Sequence, residues 1–461
     1  MATTQLGVDS SVALGKFLQK VYSDGITNQI SEDFRDWEMV NKLKVSDQAA
    51  RSVDFLINKT YGAPAVQWKD SGSVVLPSGS QSSTEEGSAG FNQLYSTVEL
   101  EYDLWERAKS GAKKYLEPLA HEIQNKGIVQ KRILSANFHL DGTGIMGEVG
   151  STTAVASGAS GAGSAVVISL ASLDASRGGE RYIEFGDELI MRKSTGAVSD
   201  VDTSFYAAIT LSVSDKDRDA NTITVVDAAG VADLQTSLTL ETGGLFFRVG
   251  STYTNPSAIV TTGAAASRTE YNSISEAMPG LETLTATDGR KIHGLTLDGV
   301  YKGQHYDASA APVDISHIQK SMDGIKSRNG SSFKYQQVLC APETLSAFIE
   351  SNEADRRLVA NTDKERGFKG FCFVHGNDQL ELATSEFAGD KRMWVIPNGA
   401  AGNDCLELHG KDFKEINVGG SEYLKNTTSG YETTVQKFMM GYMTMICKRP
   451  GAILKIHNFE N

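Results

Sequence analysis

Between Arg51 and Gly147 the chain alternates, pauses and then turns helical, and this stretch limits the folds open to it more than any other. Val98, Leu100, Tyr102 and Leu104 alternate with Glu99, Glu101 and Asp103, the period-2 pattern of a strand with one apolar face. Upstream, Val53, Phe55 and Ile57 alternate with Asp54 and Asn58. Between these limbs, Lys69 to Gly90 is mostly Ser, Gly and Thr, with Pro77 and the acidic pair Glu85 and Glu86, which reads as a tip with little apolar content. Limbs of about 14 to 18 residues would reach roughly 45 to 60 Å. A lone two-stranded ribbon is marginal in water, so its apolar face must be covered. One reading lays the outer part on a neighbouring copy of the chain. The other folds an ordinary hairpin back onto its own domain.

A helix follows. Leu116, Leu119, Ile123, Val129, Ile133, Leu134 and Phe138 form a stripe at helical spacing. Pro118 suits the first turn, where its missing N–H costs nothing. Asp141-Gly142-Thr143-Gly144 ends the run with turn chemistry. The expected helix, Leu116 to His139, is about 36 Å long.

Order and layout here resemble the major capsid proteins of tailed bacteriophages, the Hong Kong 97 phage-type fold. The features that carry the resemblance are the one-sided ribbon with its Gly/Ser tip, a short helix around Trp105 to Tyr115, and a long helix ending Phe138-His139-Leu140-Asp141-Gly142-Thr143-Gly144. The resemblance implies an α+β fold with an N-terminal arm over 1–50 and an extended loop over 51–105. It implies a peripheral domain with a spine helix, built from 106–150 and 426–461, and an axial domain over 261–425. Residues 151–260 then read as an inserted small all-β domain. Ser151 to Ala165 is a Ser/Gly/Ala linker. Strand-like runs follow at 165–170, 188–191, 205–213, 222–226 and 245–249, separated by turns.

The mixed third from 270 to 425 predicts a helix over 313–328 with Asp314 as a cap. It also predicts a buried strand at 336–341, a helix over 343–350, and a strand Met393-Trp394-Val395-Ile396 stopped by Pro397. Strands return from Tyr431 to Ile456. In the resembled family such closing strands lie beside the spine helix.

The net charge of −13 argues against a sequence-reading nucleic-acid binder and is compatible with a container wall that meets DNA loosely. All four cysteines lie in the last third at spacings that fit no zinc pattern, and they read as free, mostly buried thiols. No apolar run is long enough to span a membrane, and the polar start Met1-Ala2-Thr3-Thr4 carries no signal core.

No cofactor, metal or catalytic residue is expected. Gly142-Thr143-Gly144-Ile145-Met146-Gly147 matches G-x-G-x-x-G, but a helix precedes it where the dinucleotide fingerprint needs a strand. Asp215, Asp217 and Asp219 begin like a calcium loop, yet Ala220 and Val226 stand where Gly and Glu are required. A solvated hairpin turn is the simpler reading.

The residues expected to make assembly contacts are Val53, Phe55, Trp68, Lys69, Glu85 and Glu86 on the ribbon, and Arg356, Arg357, Lys364 and Arg366 in the axial domain. For the last four, an exposed loop face is the competing reading. By resemblance, the chain partners itself in hexamers and pentamers of an icosahedral shell around double-stranded DNA contacted without sequence preference. The shell forms in a bacterial cytoplasm and persists as a virion. Separate scaffolding and portal proteins are implied, a decoration protein is allowed for, and no membrane is involved. An encapsulin-type compartment shares the implied fold and is the alternative. A soluble enzyme using 142–147 and an adhesin built on the β-rich insertion are more remote.

Overall fold

The computed structural model describes residues 36, 40–44, 52–60, 81–101, 118–140, 142, 146–150, 155–156, 165–170, 179–194, 201–205, 210–218, 220–228, 245–248, 278–286, 291–299, 301–329, 334–351, 372–375, 378–389, 391–397, 405–416, 424–427 and 430–460. The predicted short helix at 105–115 and most of the expected N-terminal arm, 1–50, lie outside them.

The long helix is described as Pro118–His139, with Pro118 in its first turn as expected; the expected start at Leu116 lies outside the described residues. Ile128, Ala136 and Phe138 are buried along it, and so are Gln130, Ser135 and His139. Gly142 follows at φ +76°, a left-handed conformation that favours glycine. A Cβ there would meet the Cα of Pro279 at 3.1 Å and Oγ1 of Thr283 at 3.2 Å. This glycine therefore both ends the helix and lets the 278–283 segment pack beneath it. Gly147 opens a strand, Gly147–Glu148, so the glycine motif runs from helix to sheet, opposite to the nucleotide-binding arrangement.

The principal core fills a six-stranded mixed sheet in the order Gln304–Pro312, Leu454–Glu460, Arg392–Pro397, Tyr335–Cys340, Asp378–Thr384, Cys372–His375. The first two strands run parallel, as do Tyr335–Cys340 and Asp378–Thr384. Every residue of Arg392–Pro397 is buried, which is why its stretch from Met393 reads as a continuous apolar run. The helix Ile315–Asn329 packs Ile318, Met322 and Ile325 into the same core. Asp314 accepts the hydroxyl of Ser316 at 2.7 Å at its start. A second helix, Pro342–Ser351, opens on Pro342, two residues past Cys340.

A second sheet is built on the 18-residue strand Gly430–Cys447. Leu406–Ile416 pairs along one edge and Asn92–Glu101 along the other, both antiparallel. Two expectations are corrected here. The cleanly alternating limb, Asn92–Glu101, pairs with Thr434–Met443 and not with the upstream limb. The closing strand Leu454–Glu460 lies inside the mixed sheet between Gln304–Pro312 and Arg392–Pro397, not beside the long helix. Alternation specifies which face of a strand is buried, but it does not specify the partner.

The upstream limb, Ser52–Thr60, pairs instead with Ser83–Gly90, from Ser52 opposite Gly90 to Thr60 opposite Ser83. Glu85 and Glu86, expected in a loop tip, are strand residues. The composition misleads because this strand needs small side chains. A Cβ on Gly87 would meet Cζ of Phe55 at 2.7 Å and Cδ1 of Leu295 at 2.8 Å.

Residues 147–248 contribute an eight-stranded, wholly antiparallel sheet. Its described strands include Val166–Ser169, Glu188–Ser194, Leu211–Asp217, Thr222–Asp227 and Leu245–Arg248. The expected single strand at 205–213 is two, Val201–Phe205 and Leu211–Asp217. Asp215 and Asp217 belong to a hairpin whose turn is closed by Asp217 Oδ1 accepting the Ala220 amide at 3.1 Å, with Asn221 at φ 49°. The sheet's own core takes in Ala136 and Leu140 from the end of the long helix, and Phe387.

Candidate assembly surfaces

The ribbon Ser52–Thr60/Ser83–Gly90 lies on the short hairpin Lys291–Ile292/Leu295–Thr296 of its own chain. Phe55, Ile57 and Ala89 belong to the principal core, with Phe55 only 7% exposed. Val53 packs against that core from its margin. The Phe55 ring meets His293 edge-on at 6.0 Å, and the Ser88 amide donates to the His293 carbonyl at 3.0 Å. His293 in turn donates Nε2–H to the Met445 carbonyl at 2.9 Å, which connects the ribbon bed to the long strand. Burial pushes the His293 ring down to about 4, so it is neutral at pH 7. At the ribbon's end Lys59 reaches Glu85 at 2.9 Å and Asp298 at 3.3 Å.

The outer face is polar. Ser88 donates to Asp54 at 2.6 Å and Thr84 to Asn58 at 2.8 Å. Leu56, opposite Glu86, is the large apolar residue on it, 70% exposed. The idea that this apolar face lies on a neighbouring copy is therefore corrected for the described ribbon: its own chain covers it. The segment 61–80, with Trp68 and Lys69, lies outside the described residues.

The antiparallel sheet is attached by different chemistry. Glu180-Arg181-Tyr182 forms a buried 3-10 turn at its margin. Arg181, with its side chain 3% exposed, donates to the Ala388 carbonyl at 3.1 Å and pairs with Glu343 at 2.7 Å. Glu343 lies in the first turn of Pro342–Ser351 and is also held by Arg218 at 2.5 Å. Burial alone would raise the Glu343 carboxyl, but these guanidiniums outweigh it and hold it below the ordinary range. Tyr182 donates its hydroxyl to the Phe387 carbonyl at 2.9 Å and stacks on the Phe387 ring at 6.3 Å. From the long helix, Arg132 lies over the same ring at 5.3 Å, pairs with Glu386 at 3.3 Å and bonds Glu184. Three elements thus meet at Phe387: the long helix, the antiparallel sheet, and the turn after Asp378–Thr384.

No family model matches this sequence, and no curated protein does. Solved structures do. The capsid protein in the cyanophage A-1(L) capsid asymmetric unit aligns over 96% of this chain and 96% of its own, with a TM-score of 0.51 at 7% identity. The capsid of an empty GTA particle aligns over 95% and 94% with a TM-score of 0.47 at 9% identity. The SrpI encapsulin of Synechococcus elongatus aligns over 97% and 95% with a TM-score of 0.40 at 7% identity. The chain has the Hong Kong 97-type capsid fold.

Within this Hong Kong 97-type fold, the residues expected to make contacts divide by location. Val53, Phe55 and Glu85 come together on the ribbon bed, and all three face their own chain's residues there. Glu86 is exposed on the outer face. Arg356, Arg357, Lys364 and Arg366 lie outside the described residues, as do Trp68 and Lys69. The seam of Arg181, Tyr182, Glu343 and Phe387 was not anticipated. Nothing in the sequence places Glu343 or Phe387 beside Glu180-Arg181-Tyr182. The described residues also bring His139, Asp36 and Ser385 together, with Asp36 at 3.1 Å and Ser385 at 3.2 Å from the same ring nitrogen. A relay needs its carboxylate on the opposite nitrogen from the hydroxyl, so this buried cluster lacks the nucleophilic-triad arrangement.

Proposed function

We propose that this chain is the subunit of a closed protein shell, the major capsid protein of a tailed phage, assembling as hexamers and pentamers around double-stranded DNA. The observation that carries the reading is the end-to-end alignment with the cyanophage capsid chain, 96% of each. The work of such a subunit is assembly and not catalysis. Its contacts are repeated by symmetry, so modest individual affinities multiply, and closure leaves no unsatisfied patch. Obligate contacts of this kind commonly bury about 2,000 to 5,000 Å². In this reading the polar outer face of the ribbon, with Leu56 and Glu86, is presented to a neighbour. Arg356, Arg357, Lys364 and Arg366 pair with acids of adjacent copies around a symmetry axis. The antiparallel sheet of residues 147–248 stands on the outer surface. The net charge of −13 keeps the wall from binding packaged DNA tightly.

Electron microscopy of the overexpressed, purified protein tests this, alone and with its neighbouring genes co-expressed. Closed shells, tubes or sheets are expected, with nuclease-protected DNA inside particles from infected cells. A uniformly monomeric 49.6 kDa species in every condition would contradict the shell reading. Shells that hold protein cargo and never DNA would move the assignment to a nanocompartment.

A further inference from the structure

Two of the four cysteines meet at the foot of the long strand. Cys447 is the last residue of Gly430–Cys447, and Cys405 is the turn residue immediately before Leu406–Ile416. The antiparallel register sets Leu406 opposite Cys447. The Lys448 amide donates to the Cys405 carbonyl at 3.0 Å. The cysteines are therefore diagonal neighbours across the ladder. Paired strands run about 4.8 Å apart, which keeps such neighbours within the roughly 7 Å Cα reach of a disulfide. Strict alternation would send adjacent ladder positions to opposite faces. Cys405 sits in a turn and escapes that rule, and the two side chains are near enough to act on one another electrostatically. Both residues are buried, and both are free thiols. The Cys405 thiol also bonds the Arg449 carbonyl at 3.2 Å, and Tyr301 donates its hydroxyl to the Cys447 carbonyl at 2.8 Å, which fixes the backbone around the pair.

We infer that Cys405 and Cys447 form a latent intrachain disulfide site, closed by exchange with a small-molecule disulfide when the chain meets an oxidising medium. One cysteine thiolate attacks the small disulfide, whose S–S bond breaks and releases one small thiol. The second cysteine thiolate attacks the resulting mixed disulfide and releases the other. Two protein thiols are oxidised, one small disulfide is reduced to two thiols, and the cysteine protons end on those thiols. Burial holds the Cys447 thiol well above its ordinary range, so thiolate is scarce and the closed fold reacts slowly. The bond forms when the strand foot opens or before it docks. It then staples Leu406–Ile416 to Gly430–Cys447 at the end of their antiparallel ladder. Cys340 makes a useful contrast: it is buried in the mixed sheet with its thiol on the Ala383 carbonyl at 3.8 Å. The occasion, a particle leaving a reducing cytosol, rests on the shell reading; the chemistry does not.

The test is to unfold and refold the full chain in oxidised glutathione, block remaining thiols, and map disulfide-linked peptides. The expected result is loss of two of the four thiols and one linked pair containing Cys405 and Cys447. A thermal midpoint about 5 °C above that of the dithiothreitol-treated protein is also expected. Cys405→Ser and Cys447→Ser should each abolish the linked pair and the oxidant-dependent gain, measured against their own reduced baselines. The inference is overturned if all four thiols survive oxidative refolding, or if the recovered disulfide joins Cys340 or Cys372. Peptide mapping of the unsubstituted protein decides this even if the serine variants fail to fold. Failure here leaves the shell reading standing, because particles are scored by microscopy and the bond by mapping.

Discussion

The ribbon and the antiparallel sheet are both β elements attached to the body of the molecule, and they are attached in opposite ways. The ribbon is held by apolar contact: Phe55, Ile57 and Ala89 enter the principal core, and charge is confined to its end at Lys59. The sheet is held by apolar contact and by a seam of buried or half-buried ions, with Arg181, Glu343, Arg132 and Glu386 gathered around Phe387. Apolar contact gains strength from area and constrains position loosely. Buried charge adds little net stability, but it penalises every geometry that leaves an ion without its partner. The difference implies that the sheet is held in one fixed orientation, whereas the ribbon is held down firmly but with more tolerance.

The largest effect that would break this contrast is at Phe55. Phe55→Ala should cost about 3 to 5 kcal/mol in denaturant unfolding, because it leaves Gly87 and Leu295 facing a cavity. A cost under about 1 kcal/mol would mean that the ribbon is not docked as described.

Acid separates the two attachments next. The folded state holds His293 down to about 4, below its ordinary 6.5, so the unfolded chain takes the proton first. Stability from this group is complete above pH 6.5 and is lost as pH falls toward 4, roughly 3 kcal/mol in all. Glu343 is lowered, so its contribution is present above its ordinary 4.5 and is lost only as pH falls below that value. Between pH 6.5 and 4.5 the ribbon side should weaken while the seam holds. Proteolysis or hydrogen exchange across that window reads which side opens first.

Arg181→Met sharpens the seam's half of the comparison. It strands the Ala388 carbonyl, while Glu343 keeps Arg218, so the expected loss is about 2 kcal/mol. Faster exchange should be confined to 180–190 and 385–388. The smallest effect belongs to Lys59→Ala. Its partner carboxylates, Glu85 and Asp298, are largely exposed, and the expected change in unfolding free energy is about 1 kcal/mol or less, shrinking further in salt.

Elements whose pattern was local were legible in the sequence. The helix Pro118–His139, with its proline start and glycine stop, is encoded by residues in and just after it, as are Ile315–Asn329 and the apolar run 393–397 within Arg392–Pro397. Pairing was not legible. Asn92–Glu101 declares itself a strand, but its partner lies more than 300 residues away, in Thr434–Met443. Ser83–Gly90 hid because a strand lying under Phe55 must be made of small residues, and small residues read as a turn. Of the expected assembly residues, Phe55 was legible as apolar, but alternation could not say whose surface would cover it. The seam was invisible because Arg181, Glu343 and Phe387 are scattered in sequence and acquire meaning only where three elements converge.

The central claim is that the chain covers its ribbon's apolar face itself, before any neighbour arrives. Hydrogen exchange over residues 53–57 in the isolated subunit tests it most directly, compared with the same residues in assembled particles. The expected result is strong protection in the isolated subunit, changed little by assembly. Rapid exchange in the subunit, with protection appearing only in the shell, would show that another copy supplies the cover and would contradict the claim.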